Sequence, residues 1–129
     1  MDLKLPLTLK GKVTHGNKLG STVDIPTANI PIEDKEVLKD LQYGVYFSEV
    51  FIDDKPYKAV TNVGMKPTVN NTGSVNAESF IFDFTGDIYE KNIEVKLLKF
   101  SRPERKFSSF EELSAQMKHD LEAAKAYHK

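Results

Sequence analysis

Residues 43–63 read YGVYFSEVFIDDKPYKAVTNV, and this stretch decides the fold. Valine, isoleucine, phenylalanine and tyrosine dominate its two ends, and these residue types favour β-strands. Between them lies DDKP, in which aspartate tolerates the backbone angles of a tight turn and proline fixes its own. The pattern predicts two antiparallel strands, over residues 43–52 and 57–63, joined as a hairpin.

Apolar and polar residues alternate on both sides of this hairpin, and a period of two is the spacing of a strand. Leucines occupy positions 3, 5, 7 and 9, although Pro6 limits this segment to a sheet edge or an arm before the strand. Two further strands are predicted over residues 78–84 and 93–100, separated by a Thr-Gly-Asp turn. Residues 66–76 contain proline, glycine and three asparagines, so we expect a mobile connection there.

The C-terminus is the one convincingly helical part of the sequence. Ser109 followed by Glu112 is a capping box, in which each side chain satisfies a backbone N–H at the start of a helix. The apolar face of this helix consists of Leu113, Met117, Leu121 and Ala124. A shorter helical turn is predicted over residues 34–41. Five or more strands and one terminal helix favour a mainly β fold, a small closed or nearly closed antiparallel barrel, since closure removes exposed sheet edges.

The composition limits the possible functions. The chain has 129 residues, 18 Lys and Arg against 19 Asp and Glu, a net charge of −1 and no cysteine. We therefore expect one domain over residues 1–129, with no binding of nucleic acid, no disulfide framework and no cysteine nucleophile. No apolar run approaches the roughly 20 residues of a spanning helix, so we expect a cytoplasmic protein that does not act at a membrane.

A polar loop contains Gly16 and Gly20, four residues apart. Glycines let the backbone approach a ligand closely, and successive backbone N–H groups can bind a phosphate. The same spacing is common in plain turns, so the residues alone leave both interpretations open. The loop is not a Walker loop, because it lacks the Gly-Lys-Ser/Thr ending and no helix follows at once.

The segment Pro26-Thr27-Ala28-Asn29 comes after this loop. In an extended segment Thr27 and Asn29 lie on the same side, because alternate residues share a face. A hydroxyl and a carboxamide are hard oxygen donors of the kind that bind Mg²⁺ together with phosphate oxygens. The alternative is a side-chain turn that caps a strand.

Glu78 shares strand parity with Phe80, Phe82 and Phe84. If this aromatic face is buried, Glu78 stands at its end, where desolvation makes a carboxylate a stronger base. If the opposite face is buried, Glu78 is an ordinary solvated side chain. Residues 102–106, RPERK, form a mixed-sign turn that is typical of a solvated surface, although Arg102 could reach an anion.

Taken in order, these motifs resemble the riboflavin kinase (flavokinase) domain, which forms the C-terminal half of many bacterial bifunctional riboflavin kinase/FAD synthetases. The resemblance spans nearly the whole chain. It rests on the glycine loop at 16–20, IPTAN at 25–29, GVY at 44–46, NVGMKPT at 62–68, AE at 77–78, DIY at 87–89, RPERKF at 102–107 and the terminal helix. It implies a six-stranded antiparallel Greek-key barrel with a C-terminal α-helix.

The resemblance also implies an activity, namely transfer of the γ-phosphoryl group of ATP to the ribityl 5′-hydroxyl of riboflavin, giving FMN and ADP. The catalytic residues would be Glu78, as the base, and Asn29, with Mg²⁺ held by Thr27 and Asn29. The other implied positions are nucleotide-binding Gly16, Lys18, Gly20, Ser21, Pro26 and Thr27, and flavin-binding Arg102 and Glu104. We expect a monomer whose product is FMN rather than FAD, because 129 residues are about what the kinase barrel alone requires.

The sequence departs from the family pattern at three positions. Ser21 stands where the family often has arginine, Asp24 where glycine is common, and Glu90 where glycine is usual. The first two lie beside the expected phosphate loop and would weaken nucleotide binding. An alternative function is therefore a flavin-binding or regulatory barrel with weak or no kinase activity. A barrel that binds oligonucleotides is a third hypothesis, which the net charge of −1 disfavours.

Overall fold

Antiparallel pairing builds one six-stranded sheet. The computed structural model describes residues 5–14, 26–66, 74–86, 88 and 90–129. In chain order the elements are β1 (Leu7–Lys12), β2 (Thr27–Pro31), α1 (Lys35–Asp40), β3 (Gly44–Ile52), β4 (Lys55–Lys66), β5 (Ser74–Ile81), β6 (Asn92–Pro103) and α2 (Phe110–Tyr127). The sheet order is β1-β6-β3-β4-β5-β2. Strand β6 returns beside β3, so β6-β3-β4-β5 form a Greek key.

The predicted hairpin is confirmed as β3 and β4. Asp53 and Asp54 form its turn with positive φ angles of 51° and 66°, the backbone geometry that matches the twist of a two-residue hairpin. The two edge strands of the sheet meet where the Thr14 N–H donates to the Asn29 carbonyl at 2.8 Å. The sheet therefore curls into a barrel, and the expected six-stranded antiparallel fold with a terminal helix is confirmed.

Strand β5 starts earlier and ends earlier than the sequence predicts. It runs from Ser74 to Ile81, because pairing with β4 extends the ladder through residues 74–76. The strand cannot continue to Phe84, since Asp83 turns the chain with a φ of 58°. The connection predicted over 66–76 is thus strand at both ends, and residues 67–73 lie outside the described part.

The alternation of side chains divides the sheet into two packed faces. The inner face fills the barrel with fully buried residues, including Tyr46, Val63, Ala77, Ile81 and Leu97. The outer face packs against α2 in a separate cluster, Val45, Val60, Phe80, Met117, Leu121 and Ala124. The helix face predicted from its spacing is therefore the face that covers the sheet.

Helix α2 is held at both of its ends. At the start, the Ser109 hydroxyl accepts the Glu112 N–H at 3.1 Å, which confirms half of the predicted capping box. The Glu112 carboxylate accepts instead from Ser108 at 2.9 Å and Arg105 at 3.2 Å. At the other end, Lys58 of β4 donates to the backbone carbonyl of His128 at 3.1 Å.

Candidate active site

One row of cross-strand neighbours crosses five strands on the outer face of the barrel. In the pairing register Asn29 stands opposite Glu78, Glu78 opposite Asn62, Asn62 opposite Val45, and Val45 opposite Arg102. Neighbouring strands lie about 4.8 Å apart. Three residues predicted from widely separated motifs are thus brought onto one line by the fold.

Glu78 is buried beneath α2, with 1% of its surface exposed. Phe80 shares the outer face of β5 with Glu78 and is also buried, so the aromatic face of this strand is covered. Phe82 still packs in the cluster under α2, whereas Phe84 packs against the barrel core beyond the turn at Asp83. Glu78 therefore stands at the end of a covered aromatic face, one of the two arrangements that its strand parity allowed.

A cleft of about 80 Å³ lies between this part of the sheet and α2. Its apolar walls are Val45, Val60 and Phe80 from the sheet and Met117 and Leu121 from the helix. Glu78 and Asn62 contribute polar groups on the sheet side, and residues 102–107 contribute the rim. The cleft therefore combines apolar walls with a few polar groups, as small-molecule sites do.

Arg102 joins β6 to α2 at the far end of the row. Its Nε and Nη2 donate to the two carboxylate oxygens of Asp120 at 2.8 and 2.7 Å, and its Nη1 donates to the Pro103 carbonyl at 3.0 Å. Gln116 donates to the same carboxylate at 3.0 Å. A bidentate pair of this kind is a strong, directional contact, and it holds the guanidinium at the rim of the cleft.

The turn predicted to be solvated is exposed at residues 103–106, and its arginines also make contacts with α2. Arg105 donates to Gln116 at 2.8 Å and to Glu112 at 3.2 Å, with its guanidinium 5.1 Å from the centre of the Phe107 ring. Glu104 is exposed, but its carboxylate lies over the backbone of Gly64, where a side chain on β4 would collide with it. Ion pairs and this close approach fix the 102–107 segment as the rim of the cleft.

Asn29 is held by a small network at the other end of the row. Its Nδ2 donates to Thr14 Oγ1 at 3.1 Å and to Asn76 Oδ1 at 3.2 Å. The single hydroxyl hydrogen of Thr14 points to the Asn29 backbone carbonyl at 3.2 Å, so its oxygen is left to accept from the side-chain amide. The hydrogen bonds therefore determine which end of the carboxamide is the NH₂ group.

The riboflavin kinase family model, Flavokinase, matches residues 3–128 of this chain. The chain belongs to the riboflavin kinase family. The resemblance seen in the sequence motifs is thus confirmed. A bifunctional riboflavin kinase/FMN adenylyltransferase of Pseudomonas fluorescens is 35% identical over 121 residues, which cover 94% of this chain and 38% of that protein. The chain spans less than two fifths of the length of such bifunctional relatives.

Solved structures share the fold. The riboflavin kinase of Trypanosoma brucei superposes with a TM-score of 0.61 at 26% identity, covering 93% of this chain and 78% of that one. A Streptococcus pneumoniae protein named for macrolide efflux superposes with a TM-score of 0.74 at 35% identity, covering 93% of this chain and 38% of its own. The name of that protein does not mention riboflavin kinase, but the part of it that superposes has the same barrel fold as this chain.

Several positions that the riboflavin kinase resemblance implies cannot be placed in the site. Gly16, Lys18, Gly20 and Ser21, the greater part of the expected nucleotide loop, lie outside the described residues, as does Asp24. Pro26 is described, and its carbonyl accepts the Ile81 N–H at 3.0 Å immediately before β2.

None of the helices in the described ranges has the length and apolarity that a membrane span requires.

Kinase chemistry implies a Mg²⁺ ion, and the side chains on β2 can be compared with the ligands that this ion prefers. Thr27 and Asn29 occupy alternate positions of the strand and so share its outer face, with Asn29 beside Glu78. A hydroxyl and a carboxamide oxygen are hard donors, and Mg²⁺ typically takes one or two protein ligands beside phosphates and water. The residues present on this face therefore fit the ion.

Sequence reasoning missed the residues that support the predicted ones. Asp120 lies on the apolar face of α2, one residue before Leu121, and a carboxylate there could have signalled a buried ion pair. Asn62 belongs to the NVGMKPT motif and Asn76 to a stretch taken for a loop. Thr14 gave no signal, because it contacts Asn29 only when the barrel closes.

Proposed function

We propose that this chain transfers the γ-phosphoryl group of ATP to the ribityl 5′-hydroxyl of riboflavin, producing FMN and ADP. The observation that carries the proposal is the position of Glu78, buried at the edge of the cleft and directly opposite Asn29 in the strand register. This carboxylate lies between the strand that would hold Mg²⁺ and the phosphates and the apolar cleft, where it can orient the acceptor hydroxyl. Membership of the riboflavin kinase family supports the choice of substrates.

Glu78 has two tasks in the proposed reaction. The 5′-oxygen of riboflavin attacks the γ-phosphorus, a new O–P bond forms, and the bond from phosphorus to the β–γ bridging oxygen breaks, releasing ADP. Glu78 orients the hydroxyl for attack and accepts its proton on a carboxylate oxygen. In a loose transition state this proton moves late, so orientation is the larger part of its contribution.

Thr27 and Asn29 would hold Mg²⁺ at the nucleotide end of the site, together with the phosphates. When bound, the ion neutralises the charge on the transferring group. We extend the nucleotide site to Gly16, Lys18, Gly20 and Ser21, whose backbone N–H groups would surround the phosphates, and to Pro26, which leads into β2.

Arg102 and Glu104 would contact the flavin at the other end of the cleft. Both line it, and Arg102 is already fixed by Asp120. The cleft volume of about 80 Å³ is below the roughly 300 Å³ at which small-molecule pockets begin. We therefore propose that α2 and residues 104–107 move away from the sheet when riboflavin enters. We further propose that the chain acts as a monomer in the cytoplasm, a reducing compartment that the lack of cysteine fits.

The test is to incubate the protein with riboflavin, ATP and MgCl₂ and to measure FMN by chromatography. Glu78→Gln should lose FMN formation by about 100-fold or more while it still binds riboflavin, because the neutral amide orients the hydroxyl through a weaker hydrogen bond and cannot accept its proton. The matched control is Glu49→Gln on the outer face of β3, outside the cleft, which should keep the wild-type rate. A wild-type protein that binds riboflavin and produces no FMN would instead identify a flavin-binding barrel.

A further inference from the structure

Asn62 is a cleft residue to which the proposed chemistry gives no role. It is half-buried on β4, lines the cleft and stands directly opposite Glu78. Within the described residues, its carboxamide makes no hydrogen bond to any other group. Burying part of an amide costs free energy unless the amide makes a hydrogen bond. The position of Asn62 therefore suggests a partner that arrives with the ligand.

Other polar side chains of the cleft already have protein partners. Arg102 is bound by Asp120, and Arg105 is bound by Gln116 and Glu112. These contacts tie Arg102 and Arg105 to α2 and to each other's neighbours on that helix. Asn62 differs because it lies on the floor of the cleft, between Val45 and Glu78 in the register, and is not tied to the rim.

The strand register indicates which part of riboflavin would meet Asn62. It lies one strand from Glu78, about 4.8 Å, whereas Arg102 lies three strands from Glu78, about 14 Å. A ligand whose terminal hydroxyl reaches Glu78 places the next part of its polyol chain over Asn62 and its ring system farther along the cleft. A carboxamide both donates and accepts hydrogen bonds, as polyol hydroxyls do.

We propose that Asn62 is a specificity residue that binds a hydroxyl of the ribityl chain of riboflavin. This inference rests on the proposed function, because it takes riboflavin as the ligand with its 5′-hydroxyl at Glu78. The hydrogen bond would favour flavins that carry a polyol over flavins that lack one. It would also hold the chain extended toward the base, so that the 5′-oxygen is positioned for transfer.

The experiment compares riboflavin with lumiflavin, a flavin whose ring carries a methyl group in place of the ribityl chain. Binding of each is measured by titration of flavin fluorescence with wild type and with Asn62→Leu, which is nearly isosteric. The variant should bind riboflavin about tenfold more weakly, as loss of one hydrogen bond predicts, with lumiflavin affinity unchanged within about twofold. Asn62→Ala should show the same selectivity without added bulk, and Asn92→Leu, on an exposed strand position, should bind both flavins as wild type does.

Each outcome has a definite meaning. Equal weakening of riboflavin and lumiflavin would show that Asn62 only shapes the cleft, and unchanged riboflavin affinity would show that it makes no contact; either overturns the inference. A wild-type protein that binds riboflavin without producing FMN overturns the phosphoryl-transfer proposal, while a selective loss in Asn62→Leu would still support the ribityl contact. A wild-type protein that binds no riboflavin overturns both.

Discussion

The hydrogen bonds of a single threonine fix the orientation of the Asn29 carboxamide. Thr14 accepts from its Nδ2 and donates to its backbone carbonyl, so the oxygen end of the amide turns away from Thr14. Asn76 receives the second amide hydrogen and favours the same orientation. Asn29 thus has a positioned side chain, and the residue that positions it lies outside every motif in the sequence.

Replacing Thr14 tests this orientation. Thr14→Val removes the acceptor and lets the carboxamide rotate, so the Mg²⁺ concentration for half-maximal FMN formation should rise about threefold to tenfold. Thr14→Ser keeps the hydroxyl and should restore the wild-type value. The measurement is FMN formation over a series of MgCl₂ concentrations, with equilibrium binding of ADP at the same concentrations as a second readout. A Thr14→Val protein with unchanged Mg²⁺ dependence would show that the backbone alone positions Asn29.

For single residues, the sequence predicted which side chains share a strand face better than it predicted whether that face is buried. The parity rule correctly placed Glu78 and Phe80 on one face, because alternation is a local property of a strand. The inner face of β5 fills the barrel, and whether its outer face is also covered depends on α2, more than 30 residues after Glu78 in the chain, so no local pattern contains that information. Strand parity is thus compatible with both a buried and a solvated Glu78, and the packing of α2 decides between them.

At the scale of elements, the contact between β6 and α2 depends on the Arg102–Asp120 pair. Their side chains are 23% and 11% exposed, so solvent screens the pair less than it screens surface pairs. Asp120→Asn leaves the guanidinium without its counter-charge and should lower the free energy of unfolding by about 1–3 kcal/mol in urea titrations.

A matched control for this variant is Glu94→Gln. It breaks an exposed pair between β1 and β6, in which Lys10 and Glu94 are 3.7 Å apart and 75% and 49% exposed. Surface pairs contribute little, so this change should cost less than about 0.5 kcal/mol. If both variants lose the same amount, the helix is held by its apolar face and the ion pair adds nothing.

Element boundaries were harder to predict than the elements themselves. Serine and asparagine at 74–76 indicate a loop by propensity, yet pairing with β4 draws them into β5, because strand propensity depends strongly on context. At Glu90, by contrast, the family pattern indicated the backbone geometry correctly. The family resemblance suggested glycine at this position, and Glu90 adopts a φ of 70°, a region that glycine enters without strain.

At the scale of the whole molecule, the strands and motifs predicted a closed or nearly closed barrel, but not which residues close it. Among the described residues, the contacts that close it include the Thr14–Asn29 bridge and the packing of Gly11 of β1 against Ile30 of β2. Both join residues that local periodicity treats separately. The same closure brings Thr14 to Asn29, so the contacts that close the barrel also complete one end of the candidate site.

The stability of the whole barrel should depend on Tyr46 at high pH. This residue is fully buried, its hydroxyl donates to the Gln42 carbonyl at 2.6 Å, and burial raises its pKa from 10.0 to about 12. Between these values the unfolded chain loses the phenolic proton and the folded chain keeps it, so stability falls by up to about 1.4 kcal/mol per pH unit. Tyr46→Phe should be about 1 kcal/mol less stable at pH 8 and should lack this part of the decline. Urea titrations from pH 8 to 11.5 measure both slopes, and equal slopes would mean that Tyr46 ionises as readily in the folded barrel as in the unfolded chain.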